Sequence, residues 1–331
     1  MNAPKCDEYG YIQWLLAAQT NYTCTEFEQV APTEMAHDAP TRMLKREKLT
    51  PRILWKNAEP HIDKTSGYLI TDDSVIDKPH TQDLDLARWQ YSGAHHDVVK
   101  GIGLESLLWT STDGTEHLPV DYRLYNPDSD GKSKNQHVQD MLYVAKSRGF
   151  VPEYVLMDSW YTSLDNLKTC RKLGWHWIGQ LRKNRIVSPA PHQHTNLEKI
   201  DIPPHGARVY LKGYGFIKVF KTVSPHGYVE YYGTSNLDLT ASDVERIYGK
   251  RWQIEEYHRG LKQQCGIAKC QARTDRSQRN HIWCAIHTFL LLEVHRLNTG
   301  VTWQQAKLSI VRDAIQQYLL DPRFNLKMAT A

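Results

Sequence analysis

The chain lacks most of what would mark a secreted or membrane protein. Its six cysteines, Cys6, Cys24, Cys170, Cys265, Cys270 and Cys284, are scattered over 331 residues. That spacing makes no disulfide framework, so reduced thiols in a cytoplasmic setting are expected. The most apolar stretch, Trp283 to Val294, is short and contains His287 and Glu293. It reads as a buried helix, not a bilayer span, and no membrane partner is expected. Met1-Asn2-Ala3-Pro4-Lys5-Cys6-Asp7-Glu8 holds no apolar signal-peptide core. Internal repeats and low-complexity tracts are absent. Neither charge sign dominates: 41 Lys and Arg stand against 37 Asp and Glu, a net +4. Such a balance permits a polyanionic partner without demanding one.

What is present is ordinary for a globular enzyme: 40% apolar and 24% charged residues, enough for a core that needs no cross-links. Residues 1–63 read as a polar helical segment of the kind that forms a small DNA-binding domain or a solvated linker, with helices at Tyr11–Ala18 and from Asp38, where Pro40 sits near the first turn. Residues 64–182 change character. Strands are expected at Tyr68–Thr71, ending in Asp72-Asp73, then at Leu104–Thr110 and Leu118–Tyr125. A helix follows at His137–Arg148, a strand at Tyr154–Met157, a helix at Leu164–Leu173 closed by Gly174, and a strand at Trp175–Leu181. Three strands, a helix, a strand, a helix and a strand is the order of an RNase H-like core, an α/β fold with a mixed sheet flanked by helices. Residues 183–234 interrupt that order as a β-rich insertion, with strands at Ala207–Leu211, Phe216–Thr222 and Tyr228–Tyr232. From Ser242 the chain turns helical. Residues 235–270 read as the second part of the core and 271–331 as a helical C-terminal segment.

Three places put carboxylates where chemistry can use them. Asp72-Asp73 closes the first strand, Asp158 closes the fourth, and Glu255 lies on the helix that begins near Ser242. Residues just past strand ends line the ligand-facing edge of an α/β sheet. Two such acids with a third from a neighbouring helix form a hard-oxygen cage suited to Mg²⁺ or Mn²⁺. Viewed singly, each acid serves equally well as a turn residue or a helix cap. The Ser242 helix carries more information. Spaced as an α-helix, Tyr248, Arg251, Glu255 and Lys262 fall in a stripe roughly 60° wide, beside an apolar stripe of Ile247, Ile254 and Leu261. An acid among phosphate-binding groups suits a nuclease, although Arg251–Glu255 also has the spacing of a simple helical ion pair.

Tyr-x2-Arg-x3-Glu-x6-Lys, met by Tyr248, Arg251, Glu255 and Lys262, resembles the Y-R-E-K signature of bacterial insertion-sequence transposases of the DDE class. Asp72-Asp73-Ser74 and Asp158-Ser159-Trp160-Tyr161 resemble that group's two aspartate motifs. The likeness covers roughly residues 65–300. It implies an RNase H-like core with a β-rich insertion, and an enzyme that cuts the ends of a mobile element and joins them to target DNA. It also implies Asp73, Asp158 and Glu255 as catalytic ligands of two Mg²⁺ (or Mn²⁺) ions, and Tyr248, Arg251 and Lys262 as contacts to the DNA backbone. Adjacent strand residues point to opposite faces, so one of Asp72 and Asp73 serves as ligand. Asp73, which precedes the hydroxyl residue, is the choice, with Asp72 as the alternative. The implied partners are double-stranded DNA at element ends and target, and a second copy of the chain in a homodimeric DNA complex. The implied location is the bacterial cytoplasm, at the nucleoid when DNA is bound.

Other readings compete. Cys265, Cys270, His281, Cys284 and His287 nearly match zinc spacing, but their recurrence fits buried positions on a helix. Basic groups at Arg42–Lys48, Arg182–Arg185 and Arg273–Arg279 are DNA contacts or solvated surface. A transposase-derived protein that binds DNA without cutting, or a structure-specific nuclease of the same fold, remain alternatives. Three acids facing phosphate argue against a pure binder, because without metal they repel it.

Overall fold

Long runs of side chains buried on both sides make a sheet the centre of this protein. The last ten residues of the strand at Asp97–Thr110 are all buried, which requires cover on both faces. The computed structural model describes residues 4–20, 22–93, 95–223 and 227–322. In chain order, helices α1 (Glu8–Ala17), α2 (Cys24–Val30), α3 (Ala39–Arg46) and α4 (Pro51–Ala58) precede β1 (Tyr68–Asp77), β2 (Arg88–Ser92), β3 (Asp97–Thr110) and β4 (His117–Tyr125). Then come α5 (Pro127–Asp130), α6 (Lys134–Ser147), β5 (Tyr154–Met157), α7 (Leu164–Leu173) and β6 (Trp177–Leu181). The strands β7 (Ile186–Val187), β8 (Thr195–Asn196), β9 (Ala207–Leu211), β10 (Gly215–Val223) and β11 (Val229–Thr234) follow. Helices α8 (Ala241–Tyr248), α9 (Trp252–Gln263), α10 (Asp275–Thr299) and α11 (Trp303–Leu320) complete the order. The chain forms two compact units, Leu49–His258 and the paired ends Met1–Lys48 with Arg259–Ala331.

In the Leu49–His258 unit nine of the eleven described strands form one sheet in the order β2-β3-β1-β5-β6-β11-β10-β9, with β4 also paired to β3, and β7 pairs with β8 in a small sheet of their own. β1 runs antiparallel to β3 and parallel to β5, and β5 runs parallel to β6. The β4-β3-β1-β5-β6 part is the mixed sheet of an RNase H-like fold. Helix ends are set locally. Ser133 and Gln136 form a capping box at the start of α6, and Thr240 and Asp243 do the same for α8, each satisfying two otherwise orphaned backbone N–H groups. Ser163 accepts from the Asn166 N–H to start α7, which Gly174 ends in the left-handed conformation.

Two differences from the sequence reading, and one point it left open, matter for the site. β1 does not stop at the two aspartates but continues to Asp77, because its pairing with β3 runs unbroken from Tyr68↔Thr110 to Asp77↔Gly101. β2, which the sequence reading did not expect, pairs with the outer end of β3. The sequence reading left the pairing of the 183–234 insertion open: β7 and β8 pair with each other, while β11 pairs with β6, so β9–β11 extend the central sheet.

The other unit is helical. The Tyr11 hydroxyl and His281 Nδ1 lie 2.9 Å apart, and His281 Nε2 is 3.1 Å from the Gly266 carbonyl. Because the carbonyl only accepts, this pattern puts the ring proton on Nε2 and lets Nδ1 accept from the tyrosine. Asn280 Nδ2 donates to the carbonyls of Leu44 (2.7 Å) and Glu47 (2.8 Å), capping α3 from α10. Trp14 stacks on Phe27 at 5.1 Å. Thus the two ends of the chain, read from sequence as separate segments, share one unit. No helix among the described residues is long and apolar enough to cross a membrane.

Candidate active site

Strand pairing brings two of the acids together. Thr71 on β1 is in register with Met157 on the parallel neighbour β5, so Asp72 and Asp158, each the next residue, emerge side by side at the same edge. Asp158 closes a tight turn: one carboxylate oxygen accepts the backbone N–H groups of Trp160 and Tyr161, both at 2.9 Å. Burial raises its pKa, while those two hydrogen bonds and Arg251 oppose the rise. Asp72 is pushed further, to about 7, by burial first and by the Asp158 charge second, with Arg251 working against both. Two like charges held together out of water each favour the protonated form of the other.

Arg251 answers that repulsion. Its Nη1 donates to Asp72 at 3.1 Å and its Nη2 donates to Glu255. Burial works against its charge, but Tyr248, Asp72 and Glu255 outweigh burial and hold its pKa above the ordinary arginine value. The sequence reading treated 248–262 as one helix. Instead, α8 ends at Tyr248 and a 3₁₀ turn, Gly249–Arg251, leads into α9. In a 3₁₀ turn residues three apart eclipse, so Arg251 still lies near the Tyr248 ring, 5.9 Å from its centroid. The Tyr248 hydroxyl donates to the Met157 carbonyl at 3.2 Å, at the end of β5. Ile247 and Ile254 are buried as the apolar stripe requires. His258 Nε2 is 3.1 Å from Ser106 Oγ, and Ser106 is the β3 partner of Asp72, which places α9 on the Asp72 face. Lys262 is half-buried on the same helix, past the division after His258, in the other unit.

Asp73 goes elsewhere. The sequence reading selected it as the first acid, but the strand's pleat turns its carboxylate to the opposite face, toward α6. There it accepts from Lys134 Nζ at 2.6 Å and from the Tyr161 hydroxyl at 2.8 Å. Its β3 partner is Glu105, fully buried, whose carboxylate lies 3.7 Å from Lys134. The acid on the same side as Asp158, Arg251 and Glu255 is Asp72. Sequence reasoning missed Glu105, Lys134 and Tyr161. One signal was available for Glu105, a lone carboxylate inside the apolar run Gly101–Trp109.

No group of three or more His, Cys, Asp and Glu side chains among the described residues is arranged to hold a metal ion. The donor chemistry nevertheless suits a hard divalent cation. Two oxygen donors repel each other at a strand edge, and a third carboxylate, Glu255, is tied to the same guanidinium that neutralises Asp72.

Comparison with known proteins gives a family model, the transposase DDE domain, matching residues 64–291. The chain belongs to the transposase DDE family. The matched span contains both aspartate motifs, the 183–234 insertion and the whole of α9. Transposases of this family are nucleases that generally use divalent metal ions. No curated protein matches the chain. Among solved structures, one match is a Drosophila P element transposase strand transfer complex. It is 10% identical, covers 53% of this chain and 37% of that chain, and has a TM-score of 0.29. Another is a pre-cleavage Mos1 transpososome, 12% identical over 94% of this chain and 81% of that chain, with a TM-score of 0.20. The chain thus spans little more than a third of the P element protein's length. At these scores the superpositions are loose, and the family assignment rests on the sequence match.

Proposed function

We propose that this protein is a DNA transposase of the bacterial insertion-sequence type. It cuts the ends of its element and joins them to target DNA, with Asp72, Asp158 and Glu255 as catalytic ligands of Mg²⁺ or Mn²⁺. The observation that carries the reading is the pairing of Asp72 and Asp158 on adjacent parallel strands, with Arg251 joining Asp72 to Glu255. Two bound ions would supply activation of a water or hydroxyl and stabilisation of the leaving oxygen at phosphorus.

The chain's own residues do the positioning. The Trp160 and Tyr161 N–H groups fix one Asp158 oxygen and leave the other for a ligand. Tyr248 ties the end of α8 to the end of β5. Arg251, once its carboxylates are otherwise neutralised, is free to grip a non-bridging phosphate oxygen. Lys262 acts as a further backbone contact. Double-stranded DNA is the partner, a homodimer brings two element ends together, and the protein works in the cytoplasm at the nucleoid.

Incubation with the DNA that flanks its own gene and Mg²⁺ tests this. Cleavage with joining to a second DNA supports a transposase, and cleavage without joining supports a nuclease of the same fold. Asp72→Asn, Asp158→Asn and Glu255→Gln are each expected to abolish cutting while end binding persists. Asp73→Asn is expected to retain it. The reverse result for the two adjacent acids would return the role to Asp73.

A further inference from the structure

We propose that Lys134 is a positioning residue for Asp158: through Asp73 and the Tyr161 hydroxyl it fixes the turn that aims the Asp158 carboxylate. This rests on the catalytic role proposed for Asp158, and it assigns a task to polar groups that the acidic cluster leaves unused. The connection can be followed atom by atom. Lys134 Nζ donates to Asp73 Oδ2 at 2.6 Å, and the Tyr161 hydroxyl donates to Asp73 Oδ1 at 2.8 Å. The backbone N–H of Tyr161 then donates to Asp158 Oδ1 at 2.9 Å. Asp73 thus links the start of α6 to the turn after β5.

A second connection runs from the same end of α6. Asn166 Nδ2 donates to the Tyr161 carbonyl at 2.9 Å and to Asn135 Oδ1 at 2.7 Å, and Asn166 Oδ1 accepts from Gln139 Nε2 at 3.0 Å. Tyr161 is therefore held by its hydroxyl and by its carbonyl, and both holds lead to consecutive residues, Lys134 and Asn135. Those residues open α6, and the Ser133–Gln136 capping box sets where the helix starts. Moving the first turn of α6 moves Tyr161 and, with it, one of the two N–H groups that seat the Asp158 carboxylate.

Fold stability alone does not call for these groups. The Tyr161 ring is fully buried, and the Lys134–Asp73 pair is largely withdrawn from water, at 16% and 23% side-chain exposure. Exchanging all the partners of a buried polar network for apolar groups of like shape is often neutral or stabilising. What the polar chain supplies is direction, since a hydrogen bond fixes a hydroxyl's place where apolar contact would let the ring slide. A carboxylate that ligates a cation needs such support, because its productive geometry has to be held to within about 0.5 Å.

Hydrogen exchange of the metal-free protein reads the turn directly. In Lys134→Met, and in Tyr161→Phe, which keeps the buried ring, the Trp160 and Tyr161 amides are expected to exchange about tenfold faster while the amides of β6 keep their rates. Lys134→Arg, which can still donate to Asp73, is expected to restore slow exchange. Mn²⁺ affinity, measured by calorimetry without DNA, is expected to fall about tenfold in Lys134→Met and Tyr161→Phe. With the DNA that flanks its own gene and Mg²⁺, kcat is expected to fall by the same factor and KM for DNA to hold. Unchanged exchange in both variants overturns the proposal. So does faster exchange spread over the whole Leu49–His258 unit with no recovery in Lys134→Arg, which makes the network merely structural. An Mn²⁺ affinity that falls in Asp158→Asn but not in Lys134→Met overturns it as well. An affinity that Asp158→Asn leaves untouched, beside faster exchange confined to the turn, sinks the proposed function and leaves the tie between Lys134 and Asp158 standing.

Discussion

Replacing Glu105 by Gln tests the buried charge network behind the first strand. Glu105 is fully buried, neither of its carboxylate oxygens has a hydrogen-bond partner, and its neighbour Lys134 stays 3.7 Å away. Burial lifts its pKa from 4.5 to about 8, against the pull of Lys134. The folded state therefore holds this proton more tightly than the unfolded chain does. The resulting stability is fully present below pH 4.5, falls as pH rises, and is gone above about 8. At 1.36 kcal/mol per pH unit, that interval corresponds to a loss on the order of 5 kcal/mol. Gln cannot ionise and has nearly the same shape. Wild type and Glu105→Gln should then unfold in urea with similar stabilities near pH 4.5, and the variant should gain steadily up to about pH 8, where it is the more stable by several kcal/mol. A stability difference that stays constant across that range would refute the argument. It would mean that Glu105 remains ionised in the fold, fully compensated by Lys134.

Further outcomes are expected elsewhere. A Cβ at Gly179 would stand 2.2 Å from Thr162 Cγ2 and 3.1 Å from the Met157 carbonyl. Gly179→Ala should cost about 1–3 kcal/mol in denaturant unfolding and lower cleavage by shifting the turn that presents Asp158. Tyr161→Phe removes the donor to Asp73 but keeps the buried ring, so a loss of about 1 kcal/mol is expected, with cleavage reduced but not abolished. Lys262→Gln should reduce the salt slope of duplex binding by about 0.9 if it holds one phosphate, and an unchanged slope would remove it from the interface.

Much of the core was legible because burial and breakers agree there. Tyr154–Met157 is a four-residue apolar run and is a strand over those same residues, and Gly174 ends α7 as its freedom at positive φ suggests. Legibility failed where pairing, not composition, decides. Asp72-Asp73-Ser74 looks like a strand end, but the β3 ladder carries the strand through it. Arg88–Ser92 is a strand only because the outer end of β3 offers it an edge. The insertion's strands were visible as alternation, yet nothing local says that β11 pairs with β6. At the site, the stripe on the Ser242 helix survives in part although the helix is broken by a 3₁₀ turn: Arg251 still lies beside Tyr248 and reaches Glu255. Which of the two neighbouring aspartates meets Arg251 was not readable, since it depends on which face receives α9 and which receives Lys134.

The doublet at 72–73 has a consequence for how the site tolerates error. A strand's side chains alternate, so sliding β1 by one residue exchanges everything it shows to its two sides. At most positions such a slip would replace a working group with an unrelated one. Here a one-residue slip would keep an acid at one of the two places alone: Asp73 would take that of Asp72 while Ser74 took that of Asp73, or Asp72 would take that of Asp73 while Thr71 took that of Asp72. Both carboxylates meet their cations, Arg251 on one side and Lys134 on the other, in a single alignment, so the doublet adds charge pairing to the forces that fix how this strand is seated.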